Sequence, residues 1–150
     1  MGEILDKKDQ IILEALKEDA SRSSQQIAKL TGIPITTVHN RVRRLRQRGI
    51  IKQYTIHLDN RKLGKNVSVY VLIKANYAFL KGGKMDHDAL ANKIHKYPGV
   101  ESVSLTTGGI DILVKAVMRD MDELNAFVGK FLRALEGVER TETLVVLTEH

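Results

Sequence analysis

The stretch from Gly32 to Ile51, GIPITTVHNRVRRLRQRGII, holds Arg41, Arg43, Arg44, Arg46 and Arg48 and no acidic residue. Ile35, Val38, Val42 and Leu45 fall at i, i+3, i+7 and i+10, which is one narrow side of a helix. At about 100° per residue, the other side collects Thr36, Thr37, Asn40, Arg43, Arg44 and Gln47, with Arg41, Arg46 and Arg48 on the flanks. Short hydroxyl and amide side chains reach base edges, while guanidinium groups fork onto phosphate or guanine. Like charges at Arg41/Arg44, Arg43/Arg46 and Arg44/Arg48 repel at three- and four-residue spacing, and a polyanion relieves that repulsion. A basic run is often no more than a solvated face. Here the run lacks acidic counter-charges and carries polar readers at one end, so the pattern favours DNA: Thr36, Thr37, Asn40 and Arg43 towards bases, and Arg41, Arg44, Arg46 and Arg48 towards phosphates.

Such a helix needs a platform. Asp6 is placed to cap a first helix over Lys7 to Asp19, with Ile12, Leu13 and Leu16 as its apolar stripe. Ser23 followed by Gln26 is a capping box for a second helix, in which Ile27 and Leu30 face inward and Gly32 supplies the stop. Only Gly32 and Ile33 separate it from the basic helix, which is the tight connection of a helix-turn-helix. The following segment, IIKQYTIHLD, alternates imperfectly and suits a short strand or connecting arm.

Charge divides the 150 residues. Residues 1–58 carry 11 Lys+Arg against 6 Asp+Glu, residues 59–66 carry 3 against 1, and residues 67–150 carry 10 against 11. The formal net charge of +6 therefore belongs to the N-terminal third and the connector. Three parts follow: a DNA-binding domain with its connecting strand over 1–58, a linker over 59–66, and a second domain over 67–150.

The second domain reads strand, helix, strand, strand, helix, strand. Strands are expected at Val67–Tyr77, Val100–Thr107, Ile110–Met118 and Val138–Leu147, with a Gly108-Gly109 hairpin between the middle two. Helices are expected over Met85–Tyr97 and Asp120–Leu135, the second with Leu124, Phe127, Phe131 and Leu135 inward. This order is the ferredoxin-like split βαβ, so the fold class is α+β. Helices on one side leave the other sheet face bare. Val69, Val71, Ile73, Val103, Leu105, Ile112, Val114, Val145 and Leu147 look like more apolar surface than one small core uses, which predicts sheet pairing and at least a dimer.

The chain has no cysteine, which excludes disulfide and thiolate chemistry. His39, His57, His87, His95 and His150 show no metal-ligand spacing, and no nucleophile-elbow, P-loop or dinucleotide motif is present. Neither an enzyme nor a metal site is expected. With no apolar run of membrane-spanning length and no signal peptide, a soluble cytoplasmic protein is expected.

The segments LDKKDQIILEAL, IAKLTGIPITTVHNRVRRLRQRGIIKQYTIHLD, Leu63-Gly64, TTGGIDILVKAV and TLVVL together resemble the Lrp/AsnC (feast/famine) transcription regulators over essentially the whole chain. The resemblance implies a DNA-binding regulator whose second domain forms dimers and often octamers. It implies an amino-acid effector between neighbouring dimers, touching Thr107, Gly108, Gly109 and Asp111 of the hairpin and Thr141 and Thr143 of the last strand. Physically, glycines let a carboxylate approach backbone N–H groups, and Asp111 suits an ammonium. Where the family usually has a serine cap before the basic helix, this chain has Pro34, which is tolerated at a helix start but makes no capping bond. An architectural DNA-coating protein with little sequence preference is the alternative reading.

Overall fold

A computed structural model describes residues 5–76 and 86–148. The expected strand end at Tyr77 and helix start at Met85 lie outside the described residues. The chain divides into two compact units, residues 1–57 and 58–150.

The first unit contains α1 (Lys7–Glu18), α2 (Ser24–Thr31) and α3 (Ile35–Gln47). Asp6 caps α1 by accepting the Asp9 N–H at 2.9 Å, and the Asp9 carboxylate accepts the Asp6 N–H in return. Ser23 and Gln26 form the same reciprocal pair on α2, at 3.2 and 2.7 Å. Gly32 then turns the chain at φ 70°, in the left-handed region that favours glycine. Pro34 begins α3 without a side-chain capping bond, as its missing donor and acceptor require.

Ile12, Ala15, Leu16, Ile27, Ile33 and Val38 form the buried cluster between the helices, with Val42 packed against it. Leu45 is fully buried one turn further along α3. Two expected core residues are instead exposed: Leu30 at 60% and Ile35 at 48%. The reason is the turn. Ile33, in the bend itself, is buried in the cluster, while Ile27 is the buried residue of the eight-residue α2. Residues 52–59 form no strand, so the connecting arm, not the strand, is what the chain builds there.

The second unit contains β1 (Val67–Ala75), α4 (His87–His95), β2 (Val100–Leu105), β3 (Ile112–Met118), a mixed helix beginning with α5 (Met121–Asn125), and β4 (Val138–Val145). The sheet order is β2-β3-β1-β4, with every neighbouring pair antiparallel. This is the expected ferredoxin-like arrangement. The second helix is less regular than its periodicity suggests. After α5 it widens into a π turn over Ala126–Phe131 and tightens into a 3₁₀ turn over Leu132–Ala134. Leu124, Phe127, Leu132 and Leu135 are buried, and the Tyr97 ring lies 4.7 Å from Phe127 and 4.5 Å from Phe131 between centroids.

The register overturns one argument made from composition. Val69, Val71, Ile73, Ile112 and Val114 are all fully buried against the helices, so they are one core and not a surplus. Strand alternation gives the open face a different set: Tyr70, Leu72, Leu113 and Leu144, bordered by Lys74, Lys115, Arg140 and Glu142. Residues 59–66, expected as a linker, turn back onto this unit. The Asn66 N–H donates to the Arg119 carbonyl at 3.4 Å, and Asn60 Nδ2 donates to Glu101 at 3.2 Å.

Gly99 closes the link from α4 to β2 at φ 86°, with its carbonyl accepting the Val117 N–H at 2.7 Å. A Cβ there would stand 2.5 Å from the Val117 carbonyl oxygen, which is backbone and cannot move aside. Gly99→Ala is expected to destabilise the protein by more than about 2 kcal/mol, combining left-handed strain with the clash. Urea unfolding with an unchanged m-value checks it.

Candidate nucleic-acid interface

Along α3 the exposed polar residues are Thr36, His39, Asn40, Arg43, Arg44, Arg46 and Gln47, with Thr37 half-buried. Thr36, Asn40, Arg43 and Gln47 recur at i, i+4, i+7 and i+11, a polar line on the side away from Val38 and Leu45. Short side chains stand near the N-terminal end and a guanidinium follows a turn later. That is the division a groove-reading helix needs.

The arginines do not all stand free, as the lack of acidic residues within the run suggested. Arg41 Nη1 lies 2.5 Å from Asp6 Oδ2 and 2.9 Å from Asp9 Oδ1, and its side chain is 20% exposed. Arg44 Nη2 lies 3.0 Å from Asp9 Oδ2 and remains 49% exposed. Asp9 is 2% exposed, so both its oxygens are held by α3. The expectation of an uncompensated helix is corrected: the counter-charges come from the cap and first turn of α1, 32 to 35 residues away in the chain and adjacent in space. Sequence reasoning placed Asp6 as a cap but missed Asp9. Their three-residue spacing was visible, but the helix they face was not. Arg46 stacks over the Tyr54 ring at 5.6 Å, a cation–π contact that steadies its stem. Arg43 makes none of these contacts among the described residues.

At the hairpin, Gly108 has φ 109° and nothing within 4 Å of where a Cβ would stand. The Thr106 N–H donates to the Asp111 carbonyl at 2.9 Å, and the Thr106 hydroxyl donates to the Ile110 carbonyl at 2.9 Å. Asp111 is 6% exposed. Its Oδ2 accepts the Ala75 N–H at 2.8 Å and lies 3.2 Å from Lys74 Nζ. The carboxylate expected to receive an ammonium is therefore already occupied by β1. Thr141 and Thr143 pair with Ile73 and Val71, on the helix-facing side of edge strand β4. Strand β1 separates them from the hairpin within one protomer, so Thr107, Gly108, Gly109 and Asp111 stand together and the two threonines stand apart.

No group of three or more His, Asp or Glu side chains capable of holding a metal occurs among the described residues, and no described helix is long and apolar enough to cross a membrane.

A polar, basic helix on a helix-turn-helix platform, followed by a ferredoxin-like domain, has the organisation of a DNA-binding transcriptional regulator. The chain belongs to the Lrp/AsnC family: residues 68–150 match the family's "Lrp/AsnC ligand binding domain", and residues 5–52 match a "Winged helix-turn-helix DNA-binding" domain. It is 38% identical to the HTH-type transcriptional regulator FL11 of Pyrococcus furiosus, over all of this chain and 94% of that one. It is 32% identical to the regulatory protein AsnC of Haemophilus influenzae, over 94% of this chain and 90% of that one. Among solved structures, AsnC of E. coli superposes with a TM-score of 0.81 at 28% identity, covering 98% of this chain and 95% of that one.

The hydrogen bond from Arg41, followed by the Asp9 N–H, holds the Asp6 carboxyl below its ordinary value of 3.8. A depressed carboxylate stabilises the fold above its unfolded-state pKa, and that contribution is lost as pH falls through the folded value. Asparagine caps a helix about as well as aspartate, so Asp6→Asn isolates the charge. The variant is expected to melt below wild type near neutral pH, and the gap is expected to close on acidification below the ordinary carboxylate value, as followed by circular dichroism.

Proposed function

We propose that this regulator is sequence-specific and acts as a dimer or higher oligomer. Thr36, Thr37, Asn40 and Arg43 approach base edges, while Arg46, Arg48 and the outer edge of Arg44 hold phosphates. The observation that carries this reading is the exposed line Thr36–Asn40–Arg43–Gln47 on a helix whose opposite side is fixed by buried Val38 and Leu45. Hydrogen-bonding side chains on successive turns of a rigid helix match the spacing of base edges in a major groove, whereas phosphate contacts alone carry no sequence information.

Oligomerisation is supported by the open sheet face, where Tyr70, Leu72, Leu113 and Leu144 lie side by side across three strands, and by the exposed Tyr54, Ile56 and Leu58 of the arm. Such apolar surface is normally covered. An amino acid or related small effector at the hairpin, with Thr107, Gly108, Gly109 and Asp111 nearest and Thr141 and Thr143 of another protomer beside them, is supported by the match to a ligand-binding domain. The open space at Gly108 and Gly109 leaves backbone N–H groups approachable. With its oxygens on Ala75 and Lys74, Asp111 shapes this hairpin from within.

Selection of sites from random duplex DNA tests the specific reading. A palindromic consensus with half-sites about one helical turn apart is expected, whereas retention without any consensus would favour the architectural alternative. On the selected site, Asn40→Ala is expected to weaken binding by about 1–3 kcal/mol, the worth of one bidentate base contact, with little change on unrelated duplexes. Titrations by fluorescence anisotropy check this, and equal loss on both DNAs would remove Asn40 from the reading role.

A further inference from the structure

We propose that Asp9 is a positioning residue for DNA reading: an internal carboxylate that withdraws Arg41 from the phosphate backbone and fixes the direction of Arg44. The N3 acid of a capping box ordinarily sits at the surface and serves its own helix. Asp9 does that at 3.4 Å to the Asp6 N–H, yet it is 2% exposed because the same carboxylate lies between two guanidiniums of α3. One oxygen takes Arg41 at 2.9 Å and the other takes Arg44 at 3.0 Å. Arginines three apart on a helix repel, and Asp9 sits where it cancels that repulsion.

The two arginines differ in what remains to them. Arg41 has Asp6 as well as Asp9 and is 20% exposed, so little of it faces outward. Arg44 is held by one nitrogen and is 49% exposed, which leaves the rest of its fork directed outward without the freedom of a loose side chain. Of the arginines on α3, Arg41 should therefore add nothing to the cations that meet DNA. Removing one partner of a buried pair is strongly destabilising, so Asp9 keeps the two arginines in place when phosphate approaches.

This inference rests on α3 being the reading helix, and the full-length protein tests both. The salt dependence of binding is measured on the selected site and on a random duplex, for wild type, Arg41→Gln, Arg44→Gln and Asp9→Asn. A phosphate-bound cation contributes about 0.9 to the slope of log affinity against log salt. Arg41→Gln is expected to keep the wild-type slope and Arg44→Gln to lower it. Asp9→Asn is expected to raise the slope by about one as the Arg41 guanidinium is released, and to reduce the preference for the selected site about tenfold. A merely structural Asp9 would weaken both DNAs alike and leave the slope unchanged. Should Asp9→Asn fail to fold, Arg41→Gln decides the matter: a slope lowered by about one makes Arg41 a phosphate contact and overturns the proposal. Wild-type protein with no salt-dependent retention of duplex would instead overturn the reading of α3 itself.

Discussion

A carboxylate taken out of water must find its counter-charge inside the fold, because an uncompensated buried charge is strongly destabilising. That constraint organises both units. Among the described residues the buried polar side chains are Asp9 and Asp111, one in each. Asp9 ties helix α1 to the basic helix α3 through Arg41 and Arg44. Asp111 ties the central hairpin to β1 through the Ala75 N–H and Lys74. In each case a segment proposed to meet a ligand is bound to its scaffold by a charge that cannot be moved without loss, and the apolar core does the remaining work.

Geometry follows from those two anchors. Helix α3 needs its polar line held at a fixed rotation, since a turn of even one residue would bring Val38 or Leu45 outward. Buried apolar contacts set that rotation loosely, being non-directional, whereas two charge-assisted hydrogen bonds donated by Arg41 and Arg44 to one carboxylate set it sharply. The hairpin is similar. Gly108 lets the loop adopt a positive φ that favours glycine. The backbone bonds Asp111 N–H to Ile73 carbonyl, at 3.0 Å, and Thr106 N–H to Asp111 carbonyl, at 2.9 Å, hold its base on the sheet.

The irregular second helix shows a different balance. Its apolar residues at Leu124, Phe127, Phe131 and Leu135 have helical spacing, yet the backbone changes from α to π to 3₁₀ along them. Gly129 sits inside the π turn, where an added Cβ would come within 2.7 Å of Asn125 Oδ1. The wide turn brings Phe131 and Phe127 together against Tyr97, and Leu132 into the core beside them. Packing of large rings outweighs regular hydrogen bonding here, because a helix in a folded protein draws most of its stability from its buried face.

Local rules determined much of this protein from its sequence alone. Capping residues at Asp6 and Ser23, the Gly32 stop, period-2 strands and the Gly108-Gly109 hairpin each act within a few residues, so the element order and both fold halves were legible. The polar line of α3 was legible for the same reason. What tertiary structure decided were the matters set by distant neighbours. Ile33 and not Ile35 entered the core, Leu30 stayed out, and Val69, Val71 and Ile73 turned to the helices instead of a partner. Above all, the charges of Arg41 and Arg44 looked unpaired because their partners, Asp6 and Asp9, lie more than thirty residues away in the chain. Electrostatic pairing depends on separation in space, and only the folding of α1 against α3 brings that separation to about 3 Å.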